Sequence, residues 1–311
     1  MFNSNTARSV AGQAIALVFV LSVDPRPARA QSLEPRAYSN VPVGLNFAGV
    51  GYDYSEGKVS FDPAVPLTDA HIHTNTEFLA YSHSLGLWSK SAKIDVVVPV
   101  VALSGSALLA GQRKTRDISG LADPLFKFAI NFFGAPAVDL VQFRGYHQDL
   151  IVGASLRISA PLGQYDNNKL VNIGTNRWSF KPELGASKVL GLWTCDLYGS
   201  ATFYTSNNDF QNGGTIQQDP LYALQAHVMR SFPRGIWVAL NSTYYWGART
   251  TVNDRQTDSL QANSRFGMTL ALPVTSRHSL KLYGATGTSS RTKNNFSNGG
   301  IVWQYRWGAG L

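Results

Sequence analysis

Three things are scarce in this 311-residue chain: cysteine, charge and long apolar runs. A single cysteine, Cys195, permits no internal disulfide, so an oxidising compartment is tolerated without being used. Only 15% of residues are charged, against about 25% in an average globular chain. Much of the surface therefore does not face water, or the loops carry Asn, Ser and Thr instead. A helical membrane bundle would need repeated apolar runs of about 20 residues, and none is present. Beyond the N-terminus the longest run, Val96 to Leu103, is far too short and contains Pro99. Disorder is excluded by what is abundant. With 44% hydrophobic residues, 12% aromatics and 28 glycines, the chain can bury enough apolar area to offset its ordering entropy.

The first thirty residues read as a cleaved signal peptide. Arg8 precedes the apolar stretch Ala11–Val23, and a Pro- and Arg-containing segment leads to Ala28-Arg29-Ala30, an A-x-A cleavage signal before Gln31. Removing it takes away Arg8, Arg26, Arg29 and Asp24 and leaves a net charge of +6. Residues 31–311 then form one exported domain.

That domain alternates with period two almost throughout. In the clearest stretch Leu260, Ala262, Phe266, Met268, Leu270 and Leu272 share one parity, against Gln261, Asn263, Arg265 and Thr269. Leu150 to Ala160 opposes its apolar parity to Gly153, Ser155, Arg157 and Ser159, with Ile151 as the exception. Trp193, Cys195, Leu197 and Phe203 oppose Thr194, Asp196, Tyr198 and Tyr204. About twelve such segments are expected: 42–55, 69–87, 93–102, 122–133, 149–160, 177–187, 193–205, 220–231, 236–248, 259–272, 279–288 and 300–311. Short links at 88–92, 188–192, 232–235 and 273–278 alternate with longer loops rich in Asn, Gly, Asp and Thr. Short turns on one rim and long loops on the other are the pattern of an outer-membrane barrel. Residues 134–148 break it, being long on the short-turn side, with a small helix expected around 135–143.

A soluble sandwich would put Lys, Glu and Arg on its outer faces. Here each polar parity is mostly Ser, Thr, Gly and Asn. Strands of about ten residues also suit a tilted crossing of a bilayer. The expected fold is thus all-β, an antiparallel transmembrane barrel of about twelve strands in the outer membrane of a Gram-negative bacterium. Its last strand places Ile301, Trp303, Tyr305 and Trp307 on one parity, as barrel-assembly machinery generally reads, although the terminal residue is Leu311 where Phe is commoner.

Several stretches are familiar: Gly120-Leu121-Ala122-Asp123-Pro124, Ser159-Ala160-Pro161-Leu162-Gly163-Gln164-Tyr165, Asn172-Ile173-Gly174-Thr175-Asn176-Arg177-Trp178-Ser179-Phe180-Lys181-Pro182-Glu183 and Trp303-Gln304-Tyr305-Arg306-Trp307. Over essentially the whole mature chain the sequence resembles the bacterial outer-membrane family labelled "Putative MetA-pathway of phenol degradation", whose members are often called transporters. The resemblance implies an outer-membrane uptake channel. It carries over neither catalytic residues nor a substrate.

With the apolar parity toward lipid, the other parity lines a lumen. The expected solute path is Arg157, Lys181, Glu183, Asp196, Tyr198, Arg265, Lys281, Tyr283 and Arg306, with Gln261, Asn263 and Gln304 beside them. Basic residues prevail there, which suits anionic or polar aromatic solutes; equally, these charges can pair and plug a narrow barrel. Tyr198, Tyr204 and Tyr283 can stack on an aromatic ring or simply fill the wall.

Other chemistry finds little support. His71 and His73 form an H-x-H pair with no further ligands at recognisable spacing, so solvated histidines are expected and neither metal nor cofactor. Asn295-Phe296-Ser297-Asn298-Gly299 resembles the H-x-S-N-G run of outer-membrane phospholipase A, but Asn295 stands where the His base belongs; the run reads as a loop turn, and a lipolytic enzyme is the remote alternative to a channel. The only basic cluster, Arg113-Lys114-Thr115-Arg116, falls in an extracellular loop and suits lipopolysaccharide phosphates rather than nucleic acid. The expected partners are therefore the lipid bilayer, lipopolysaccharide, barrel-assembly machinery and small hydrophobic or aromatic solutes. A structural or surface-binding barrel with a plugged lumen is the main alternative.

Overall fold

The computed structural model describes residues 34–59, 67–109, 111–169, 171–289 and 295–311; the expected signal peptide lies outside them. In chain order the elements are β1 (Leu45–Val59), β2 (Leu67–Leu87), β3 (Lys90–Leu109), β4 (Gln112–Leu121), β5 (Leu125–Phe133), the short helix α1 (Leu140–Phe143), β6 (Leu150–Ser159), β7 (Ser179–Leu190) and β8 (Trp193–Tyr204). They continue with β9 (Asn207–Phe210), β10 (Gly214–Gln218), β11 (Leu221–Ser231), β12 (Trp237–Gly247), β13 (Thr250–Val252), β14 (Arg255–Gln256), β15 (Gln261–Pro273), β16 (His278–Ser289) and β17 (Phe296–Gly308).

Twelve of these strands form a closed antiparallel barrel. Each pairs with its neighbours along the chain, skipping β4 and the small loop strands, and β1 pairs with β17 to close the ring. No helix among the described residues is long and apolar enough to cross a membrane; the crossing is made by strands.

Period two becomes inside and outside. Val50, Leu79, Val98, Phe128, Leu156, Leu184, Leu197, Leu224, Leu240, Phe266, Met268 and Ile301 are exposed on the outer wall. Their sequence neighbours of opposite parity, such as Thr76, Lys181, Asp196, His227, Asn241 and Gln304, are buried. A wall that is apolar outside and polar inside is stable only with hydrocarbon around it. Trp303 stacks with His278 and Tyr305 with Trp307, while Tyr305 lies tilted against His278, as an outward aromatic cluster near the C-terminus.

The turns match the expected rims. β2 and β3 are joined by Trp88 and Ser89 alone, both at positive φ (50° and 61°), the backbone twist that a two-residue hairpin needs. Gly191 at φ 64° does similar service between β7 and β8.

Three details depart from the sequence expectation. The loop after β3 is itself sheet: β4 pairs with β3 from Val100 to Leu109. The loops at 206–219 and 247–258 carry β9, β10, β13 and β14, a separate four-stranded sheet. Asn295-Phe296-Ser297-Asn298-Gly299 is not a loop turn, because Phe296 to Gly299 lie within β17, paired with β1 and, from Ser297 on, with β16 as well.

The long link 134–148 also has an explanation. Its helix is capped by Asp139, which accepts from the Gln142 N–H while the Gln142 side chain accepts from Asp139. The rest of the link braces the chain before β1: Asn40 donates to the Pro136 carbonyl (3.2 Å) and Val43 N–H to the Val138 carbonyl (2.9 Å).

Candidate functional site

No residue from Glu34 to Gly44 belongs to a strand, yet Glu34, Pro35, Ala37, Tyr38, Ser39, Asn40, Val41 and Pro42 are all buried. A chain segment before β1 can be that enclosed only inside the barrel. It leaves the periplasmic rim at Gly44, whose N–H donates to Ser84 O, and runs into the lumen as a strap. Ile151, the exception to the apolar parity of β6, packs with Ala37, Tyr38, Ala135 and Tyr198 in one buried cluster. An apolar residue faces inward there because the strap covers it.

The wall beneath the strap is built of cross-strand rungs. Asp95, Lys127, Arg157 and Lys181 are successive partners across β3, β5, β6 and β7. Three cations side by side repel one another unless an anion joins them. Glu34 supplies it: its carboxylate accepts from Lys127 Nζ at 2.7 Å and from the Arg157 guanidinium. Lys181 turns to Glu183 at 3.1 Å. Burial alone would raise the Glu34 pKa, but the pull of Arg157, Lys127 and Lys181 outweighs it and holds the carboxyl well below the usual range.

Two rungs closer to the periplasm, beyond the Ser155–Glu183 pair, Gly153 faces Gly185 and Gly185 faces Tyr198. The ring of Tyr38 lies against the two glycines. A Cβ at Gly185 would come within 2.2 Å of that ring, and one at Gly153 within 2.5 Å. Tyr198 meets the ring edge-on, centroids 5.1 Å apart at 73°. The Tyr38 hydroxyl lies 3.2 Å from Glu183 Oε1 and 3.3 Å from Ser155 Oγ. Burial and then the Glu183 charge push the Tyr38 pKa upward, so it stays a neutral donor. Asn131 Nδ2 donates to the Tyr38 carbonyl at 3.0 Å and Lys93 Nζ to the Ala37 carbonyl at 2.6 Å. Beside this the Arg36 N–H donates to Asp196 Oδ2 (2.9 Å) while its guanidinium lies 5.3 Å from the Trp237 ring.

Of the sequence-expected residues, Arg157, Lys181, Glu183, Asp196 and Tyr198 gather around the strap on β6, β7 and β8. Arg265, Lys281 and Tyr283 sit elsewhere, on β15 and β16. Arg265 donates to Asn298, which donates to Asp53 at 2.7 Å, and Lys281 lies 5.5 Å from the Tyr283 ring. Arg306 stands apart at the periplasmic mouth, its Nε donating to the Ser276 carbonyl at 2.7 Å. Tyr204 is covered by the Arg177 guanidinium at 4.6 Å. His71 and His73 are exposed, and His71 lies 3.4 Å from Asp69; among the described residues no group of three or more His, Cys, Asp or Glu is placed to hold a metal.

Sequence reasoning missed Lys127, His227 and the strap itself. Lys127 was available from parity, since it lies with Leu125, Ala129 and Asn131 against Phe126, Phe128 and Phe132. His227 likewise alternates inward on β11, with Nδ1 2.8 Å from Asn241 Oδ1. Glu34, Arg36 and Tyr38 carry no periodic signal.

The architecture is shared with solved outer-membrane proteins. The COG4313 outer membrane channel from Pseudomonas putida F1 superposes with a TM-score of 0.75 at 20% identity, covering 89% of this chain and all of that one. The β domain of the Bordetella autotransporter BrkA gives 0.53 at 10% identity over 85% of this chain and all of that one. At these identities the likeness speaks for the fold. Among curated proteins none matches in sequence. The family described as "Putative MetA-pathway of phenol degradation" matches residues 49–305, from within β1 to within β17, and the chain belongs to that family of outer-membrane barrels.

Proposed function

We propose that the barrel mediates passive uptake of small solutes, aromatic compounds among them, with the strap as the constriction they must pass. The observation that carries this reading is the polar wall. Thr76, Ser200, Gln225, His227, Thr243, Asn263 and Gln304 each hold a buried polar atom without a protein partner, an arrangement that water or solute must satisfy. The strap is held by side chains and a few backbone contacts rather than by strand pairing, so it can leave without opening the sheet. Arg157, Lys181, Glu183, Asp196 and Tyr198 then line the path where it narrows, and Arg265, Lys281 and Tyr283 line the other wall, with Arg306 at the mouth. The relative from Pseudomonas putida is described as a channel, which supports the same reading.

Removal of residues 1–30 on export would start the mature chain at Gln31, three positions before Glu34. Lipopolysaccharide contact at Arg113, Lys114 and Arg116 belongs to the proposal too, although Arg113 already donates to Ser106 and approaches Asp69, as does recognition of the C-terminal strand by assembly machinery. No catalytic step is included: Ser297 lies 3.1 Å from the Thr286 hydroxyl and faces Glu56 across the sheet. A surface-binding barrel with a closed lumen is the second reading, favoured by the four-stranded loop sheet outside the barrel wall. Planar-bilayer recordings and solute uptake in a deletion strain decide between them. Conductance and an uptake defect support the channel; absence of both supports the closed barrel.

A further inference from the structure

The Tyr38 side chain is a para-substituted phenol, and the wall has a place shaped for it. Two glycines on adjacent strands, Gly153 and Gly185, leave room that any Cβ would fill. Tyr198 forms one side. On the next rung Ser155 and Glu183, themselves cross-strand partners, meet the hydroxyl. Glu183 is fixed for this task, since its other oxygen accepts from Lys181 (3.1 Å) and from Gln225 Nε2 (3.1 Å). All of these groups belong to the barrel wall, whereas the ring that fills the notch belongs to a strap outside the sheet.

We infer that the notch formed by Gly153, Gly185, Tyr198, Ser155 and Glu183 is a binding site for para-substituted phenols, which Tyr38 occupies as a tethered stand-in until solute displaces it. A free phenol makes the same contacts: a flat ring against the glycines, an edge-to-face contact with Tyr198, and a hydroxyl donating to the Glu183 carboxylate. A ring of equal size without a hydroxyl leaves that carboxylate oxygen without its donor, which costs about tenfold or more in affinity. A phenolate is repelled by the same charge, so the site takes the neutral form. The inference rests on the uptake reading in one respect, that solute reaches the notch through the lumen.

The test uses p-cresol and toluene on the full-length barrel. Tyr38→Ala should bind p-cresol about tenfold or more tightly than the unaltered protein, because the tethered competitor is gone, and should prefer it to toluene by a similar factor. Equal affinity of both proteins for p-cresol, or equal affinity of the variant for both compounds, overturns the site. Should Tyr38→Ala not fold, 3-fluorotyrosine placed at position 38 reports directly: titrated p-cresol should move its fluorine resonance to the solvent-exposed position, and an unmoved resonance overturns the site. Flux of p-cresol into liposomes, measured on the same proteins, separates the two claims. Binding at the notch without flux contradicts uptake and leaves the site standing; flux without binding at the notch does the reverse.

Discussion

Glu34 is the residue on which the strap's position most depends. Its side chain is 8% exposed, and those of its partners Lys127 and Arg157 are 11% and 13% exposed. Removing one member of so enclosed a group leaves cations without compensation, a loss of about 3–5 kcal/mol. Glu34→Gln should therefore free the strap while the barrel stays folded, seen as faster proteolysis or greater spin-label mobility in residues 34–43; a strap as immobile as before would contradict the ion-pair account. The pH dependence follows from the lowered pKa. A carboxyl whose folded pKa lies below its unfolded value stabilises fully above the ordinary carboxylate range and loses that contribution as pH falls toward the folded value. The strap should thus stay docked through mildly acidic conditions and release only in strong acid, and Glu34→Gln should abolish that acid transition. The inward parity of Arg157, Lys181, Glu183, Asp196 and Tyr198 was legible in the sequence because the strands alternate. Their partner was not, because Glu34 lies 93 residues from Lys127 and 123 from Arg157, in a segment without alternation.

The twelve barrel strands were legible for a physical reason: each has one face in hydrocarbon and one in a polar lumen, which imposes period two on every one of them. β4 has no apolar face, since Arg113, Lys114, Thr115 and Asp117 are all exposed, and the strands of the loop sheet are two to five residues long. Neither could announce itself by pattern. Among the described residues β9, β10, β13 and β14 pair only with one another. Replacing Asn207–Gln217 by a short Gly-containing turn should accordingly leave the barrel's unfolding temperature nearly unchanged, whereas a large drop would show that the loop sheet supports the wall. The outer face gives the opposite result. Leu240 is exposed on β12 with Asn241 buried beside it. Leu240→Arg should cost about 2–4 kcal/mol if it sits near the bilayer midplane, measured by denaturant unfolding in vesicles. A negligible cost would place that parity away from lipid.

For the whole molecule, the low charge fraction and the basic balance now have locations. Hydrocarbon covers the apolar parity, and the strap meets Lys127 and Arg157 with Glu34 and Lys93 with the Ala37 carbonyl, while Lys181 pairs with the wall's own Glu183. On the uptake reading we propose, the lumen is closed by a displaceable segment rather than by the wall. The measurement that tests this most directly is single-channel conductance in planar bilayers of the full-length barrel against a variant lacking residues 31–43. A clear rise in conductance on removing the strap, with the barrel still folded, is the expected result. Equal conductance in the two would contradict the account, because the constriction would then belong to the barrel wall itself.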